Sequence, residues 1–190
     1  MHRYGLTAIA ATAAIAFSAS YACAQEFAAH LTGFSEIGEI TGPYTGAILS
    51  DATGAAKLYL DRNAGTITYT LTYSNVGTTP PLTGTVTQAH IHFGKSRNSG
   101  GILVFFCSNL GNGPAGTPTC PLNSGTVTGT WTKASVVAIP GQNVNAGDFD
   151  ALTDALISNT AYANVHQTGL PAGEIRGQIY GAEQEEQQRR

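Results

Sequence analysis

The stretch Thr66–Ser74, TITYTLTYS, decides the fold class. Ile67, Tyr69, Leu71 and Tyr73 share one face, and threonines take the other. Period two with β-branched and aromatic residues is the pattern of a strand half buried against a core. Just upstream, AAKLYLD (Ala55–Asp61) and the turn RNAG (Arg62–Gly65) complete a hairpin. Working outward, further strands are predicted at Phe27–Leu31, Thr83–Phe93, Ile102–Cys107, Gly125–Trp131, Tyr162–His166 and Glu174–Tyr180. Turn signals separate them, and the spacing suits an all-β antiparallel sandwich or barrel. One short helix interrupts the strands. GDFDALTDALISN (Gly147–Asn159) places Phe149, Leu152, Leu156 and Ile157 on one stripe, with Asp148 or Gly147 as cap. Residues 75–81, 95–100 and 108–123 read as loops.

The ends of the 190-residue chain differ from its middle. Residues 1–24 carry a basic start at His2 and Arg3, an apolar run from Leu6 to Phe17, and Ala22-Cys23-Ala24 as an A-x-A cleavage signal. That is the pattern of a secretory signal peptide cleaved after Ala24, and it predicts a secreted or periplasmic protein. No second apolar run is long enough to span a bilayer. Residues 25–181 form the predicted domain, and residues 182–190 a polar, frayed tail. Without Arg3 the mature chain has eight basic residues against twelve acidic ones, a net charge of −4. That balance argues against nucleic acid and anionic membrane as partners, since both need basic patches. Cys107 and Cys120 remain after cleavage, and in an oxidising compartment a disulfide between them is expected. Closing a loop of about 14 residues stabilises by roughly 3 kcal/mol in the chain-entropy model.

The chemistry-bearing phrases hold histidines. AHIHFG (Ala89–Gly94) puts His90 and His92 two apart on a strand. Residues i and i+2 project to one face, with Cα atoms roughly 6.5–7 Å apart. Ala89, Ile91 and Phe93 then face the core. A third imidazole is available from His166, which follows Val165 on another predicted strand. Three neutral imidazoles suit copper or zinc, and the Irving–Williams order favours copper. The alternative is that these histidines bond to neighbouring carbonyls on an ordinary sheet. His30, in FAAHLTG, reads as an exposed strand residue. In PAGEIRGQIYG, Pro171 and Gly173 suggest a turn into a short strand on which Glu174 and Arg176 share a face. They read as a structural ion pair, or as an anion-attracting arginine beside the histidines. There is no G-x-S-x-G elbow, phosphate loop, GxGxxG or paired-carboxylate site, so no enzyme class is indicated.

Three phrases together resemble the CHRD domain family. FAAHLTGFSEIGEI is similar to its F-x-A-x-L-x-G-x-x-E opening, and VTQAHIHFG to its A-H-I-H-x-G. FDALTDALISNTAYANVHQTGLPAGEIRGQI is similar to its helix, N-V-H-T and P-x-G-E-I-R-G-Q ending. The resemblance runs from Phe27 to Gly181. Ile37-Gly38 replaces the usual Pro-Pro, and Leu170 the common Asn. It implies a Greek-key β-sandwich or barrel, immunoglobulin-like or superoxide-dismutase-like. It implies little about activity, and the first reading is a non-catalytic module that binds an unidentified protein or cell-envelope partner. AHIHFG also resembles the H-V-H-x-F-G phrase of copper,zinc superoxide dismutases, in which both histidines bind copper. NVHQ resembles their later V-H-E phrase, which gives another copper ligand. This maps copper ligation onto His90, His92 and His166, with Glu174 and Arg176 behind them. The histidine that bridges copper and zinc has no counterpart here, and the zinc loop is missing. The expectation is therefore a binding module with a three-histidine copper site, the alternative a copper-dependent dismutase-like or copper-handling protein.

Overall fold

The computed structural model describes residues 25–37 and 46–188; the signal peptide expected at residues 1–24, with Cys23, lies outside them. The described residues form nine strands: β1 Gln25–Thr32, β2 Thr53–Asp61, β3 Thr66–Ser74, β4 Val86–Phe93, β5 Ile102–Ser108, β6 Gly125–Trp131, β7 Ala161–Gln167, β8 Leu170–Gln178 and β9 Tyr180–Gly181. All pairings are antiparallel, in the order β5-β4-β7-β8-β1-β2-β3-β6, with β9 beside β1. The connections β3→β4, β5→β6 and β6→β7 cross between the two halves of this path, which makes the fold a Greek key.

β2 alternates exposed and buried at every position, and β3 sends Ile67, Tyr69, Leu71 and Tyr73 into the core. Each such side chain contributes about 1.5–3 kcal/mol on burial. β5 and β6 end the path, and side chains close the gap between them. Tyr69 Oη donates to the Phe106 carbonyl at 2.9 Å, and Trp131 Nε1 to the Phe105 carbonyl at 2.8 Å. The Tyr69 and Trp131 rings stack at 4.2 Å. The seam is thus fastened by polar tips of buried aromatics, which place their donors on carbonyls of β5. The predicted disulfide between Cys107 and Cys120 is present and ties the loop after β5.

Several local expectations need correction. Helix α1 spans Phe149–Ile157, and Asp148 caps it by accepting from the Ala151 N–H at 3.0 Å. Its buried stripe is Leu152, Ala155 and Leu156; Ile157 stands 41% exposed, one residue further round the helix. The fourth strand starts at Val86, not Thr83. The last hairpin turns at Thr168-Gly169, so Pro171 and Gly173 already lie on β8. Most of the tail expected to be frayed is ordered: Ala182–Gln188 form helix α2, with Glu183 and Glu185 in the first turn, and residues 189–190 lie outside the described residues. Glutamates there complement the helix dipole, and Glu and Gln are good helix formers.

Candidate metal centre

β4 and β7 are adjacent, and their pairing aligns Ala89 with Val165, His90 with Asn164 and His92 with Tyr162. Ala89, Ile91, Ala163 and Val165 point into the core, as alternation dictates. The opposite face carries His90 and His92 from β4 with Tyr162, Asn164 and His166 from β7. This face is covered too: His90 is 0% exposed, His166 6% and His92 9%. Phe105 packs edge-on against His90 at 4.5 Å, and Tyr162 stacks on His92 at 4.8 Å and 5°. Both rings are buried yet stand outside the main hydrophobic cluster. The β4–β5 register shifts between Ala89 and His90 and again between Ile91 and His92. Such bulges re-aim side chains, and here they fall beside both histidines.

The three imidazoles converge. One ligand atom from each of His90, His92 and His166 lies within 4.8 Å of the others. Each ring is oriented by its hydrogen bonds. His92 Nδ1 faces the Gly100 carbonyl at 2.9 Å, and His166 Nδ1 faces the Pro171 carbonyl at 2.9 Å. A carbonyl only accepts, so both Nδ1 atoms carry the proton and both Nε2 atoms keep a lone pair. His90 Nδ1 lies 3.2 Å from His166 Nε2 and donates to it in the metal-free protein, a hydrogen bond that an ion held by both rings would replace. That leaves the Nε2 atoms of His90 and His92 buried with no hydrogen-bond partner. Two orphaned lone pairs in one buried cluster are a cost that a bound cation removes.

The electrostatics agree. Burial pushes His90 down to about 2, helped by the neighbouring His166 and His92. Burial also pushes His92 down to about 4, against the opposing Gly100 hydrogen bond. His166 falls to about 4 by burial, against the Pro171 hydrogen bond. At neutral pH all three rings are neutral, which is the ligating form. The arrangement therefore fits a metal that takes nitrogen donors, with bonds of about 2.0–2.1 Å in the zinc case.

The expected Glu174–Arg176 pair does not form. Glu174 accepts from Ser50 Oγ at 2.6 Å and from the Gly77 N–H at 2.7 Å, which ties β8 to two loops. Arg176 donates to the Lys95 and Asn98 carbonyls at 3.2 and 2.8 Å. Its guanidinium lies 3.4 Å from the Tyr162 ring centroid. So Arg176 stands behind His92 through Tyr162, while Glu174 belongs to the scaffold. Burial lowers the Arg176 pKa, opposed by Tyr162 and Glu36. His30 is exposed on β1, outside the cluster, and Cys107 and Cys120 are spent in their disulfide.

Phe105, Tyr162 and the carbonyls of Gly100 and Pro171 escape sequence reasoning. For Tyr162 a signal exists: AYANVH alternates, so Tyr162, Asn164 and His166 share a face. Glu36 is also missed. Its carboxylate accepts from Asn164 Nδ2 and from the Ile37 N–H, which pins the segment after β1 over this face.

The CHRD domain family model matches residues 27–179. No curated protein and no solved structure matches the chain. The match takes in β1 through β8, both histidine-bearing strands included, and the chain belongs to the CHRD domain family.

Proposed function

We propose that this protein is an exported, non-catalytic CHRD module that holds one copper ion on His90, His92 and His166. The observation that carries the reading is the pair of unpartnered Nε2 atoms, on His90 and His92, inside a buried group of three neutral imidazoles. A structural histidine cluster would satisfy those atoms; a metal site leaves them free. Copper is preferred because three nitrogen donors follow the Irving–Williams order and no carboxylate shares the group. Export is supported by the leader pattern and by the disulfide, which suits an oxidising compartment. No helix among the described residues is long and apolar enough to cross a membrane.

Metal holding is favoured over dismutation by the state of Arg176. A dismutase-type role would use its guanidinium to draw in an anion. Here it is stacked on Tyr162 and donates to two main-chain carbonyls. The test is copper and zinc titration of the purified protein with metal content by elemental analysis. One equivalent of copper is expected. His92→Ala should abolish tight binding and leave the β-sheet circular dichroism intact. Unchanged affinity in that variant removes His92 from the site.

A further inference from the structure

Given that three-histidine reading, on which this inference rests, the surroundings decide which ion and which oxidation state the site takes. The donor group contains no carboxylate and no thiolate. The second layer brings no anion either. The Nδ1 atoms of His92 and His166 are held by main-chain carbonyls, where many zinc sites use carboxylates. Two uncharged rings, Phe105 and Tyr162, wall the trio.

The nearest cation lies behind one of those walls. The strand order β4-β7-β8 sets Tyr162 between His92 and Arg176, and the guanidinium sits on the tyrosine ring. Glu36, held by Asn164 and the Ile37 N–H, faces this region and balances the arginine's charge. The site thus offers a cation nitrogen lone pairs but no net negative charge.

Desolvation cost grows with the square of an ion's charge, so an uncompensated divalent ion is penalised about four times as strongly as a monovalent one. Coordination number points the same way. Zn²⁺ is almost always four-coordinate, and Cu²⁺ takes a tetragonal set. Three nitrogens complete a trigonal shell for monovalent copper, a closed-shell ion with no ligand-field demand. A fourth ligand would have to be water brought in beside rings that are 0–9% exposed.

We propose that the trio is a Cu(I) site that discriminates against Cu(II) and Zn(II), so that the ion is cargo held in its reduced state. The full chain is titrated anaerobically with Cu(I) against a chromophoric Cu(I) chelator. Cu(II) and Zn(II) are titrated separately against their own competing chelators, and X-ray absorption counts the ligands. One equivalent of Cu(I) with three nitrogen neighbours is expected, with a Kd on the order of a thousandfold below those for Cu(II) and Zn(II). Cu(II) or Zn(II) binding as tightly as Cu(I), and lost in His92→Ala, overturns the selectivity while the three-histidine site stands. If no ion binds in any oxidation state, the metal reading and this inference fall together.

Discussion

Acid should unfold the metal-free protein well above the pH at which carboxylates protonate. His92 and His166 are pushed from the usual 6.5 to about 4 in the fold. A folded pKa below the unfolded one means that, between these values, the unfolded chain binds protons the native state does not. Stability is then complete above about pH 6.5 and falls as pH drops toward 4. Each ring accounts for about 3 kcal/mol over the whole window, at about 1.4 kcal/mol per unit. His90, pushed down to about 2, titrates with them in the unfolded chain and continues the loss to lower pH. Between pH 7 and 5 the three rings together remove about 6 kcal/mol. A domain this size has about 5–15 kcal/mol in total. The assay is urea unfolding in the presence of a chelator, at pH 7, 6 and 5, followed by the fluorescence of Trp131, the single tryptophan. The free energy should fall with a slope approaching about 4 kcal/mol per pH unit, three protons' worth, near pH 5. A change below about 1 kcal/mol between pH 7 and 5 would show that the rings are not held neutral, and the buried cluster would be wrong.

Other outcomes follow from single contacts. Gly177→Ala should lower stability by about 2–4 kcal/mol in thermal melts, because the new Cβ overlaps the His30 carbonyl on β1. Tyr69→Phe leaves the Phe106 carbonyl without its donor and should cost about 1–3 kcal/mol by urea titration, with the core ring retained. Cys107→Ser with Cys120→Ser should cost about 3 kcal/mol, and added reductant should then change nothing further. His30→Ala should leave copper stoichiometry and affinity unchanged; a loss would place the site elsewhere.

What the sequence disclosed follows the reach of each signal. Alternation is local, and it located β2 and β3 and separated His90 and His92 from Ala89 and Ile91. It also nominated His166, because Val165 marks the core side of its strand. The walls of the site were not legible for the opposite reason. That Phe105 meets His90 depends on a shifted β4–β5 register. That Arg176 seeks carbonyls at Lys95 and Asn98, not Glu174, depends on how a loop from β4 lies across β8. Ile157 illustrates a smaller limit, since a stripe drawn at helical spacing leaves its outermost member undecided until a partner surface exists.

His90 and His166 of the proposed site lie 76 residues apart, on strands with β5, β6 and α1 between them in sequence. No nascent or truncated chain lacking β7 possesses the full donor set, and neither half of the hairpin-rich N-terminal portion can assemble it alone. At the proposed site, ion loading would therefore certify completed folding: a molecule carrying the ion would already have threaded the crossover and paired β7 with β4.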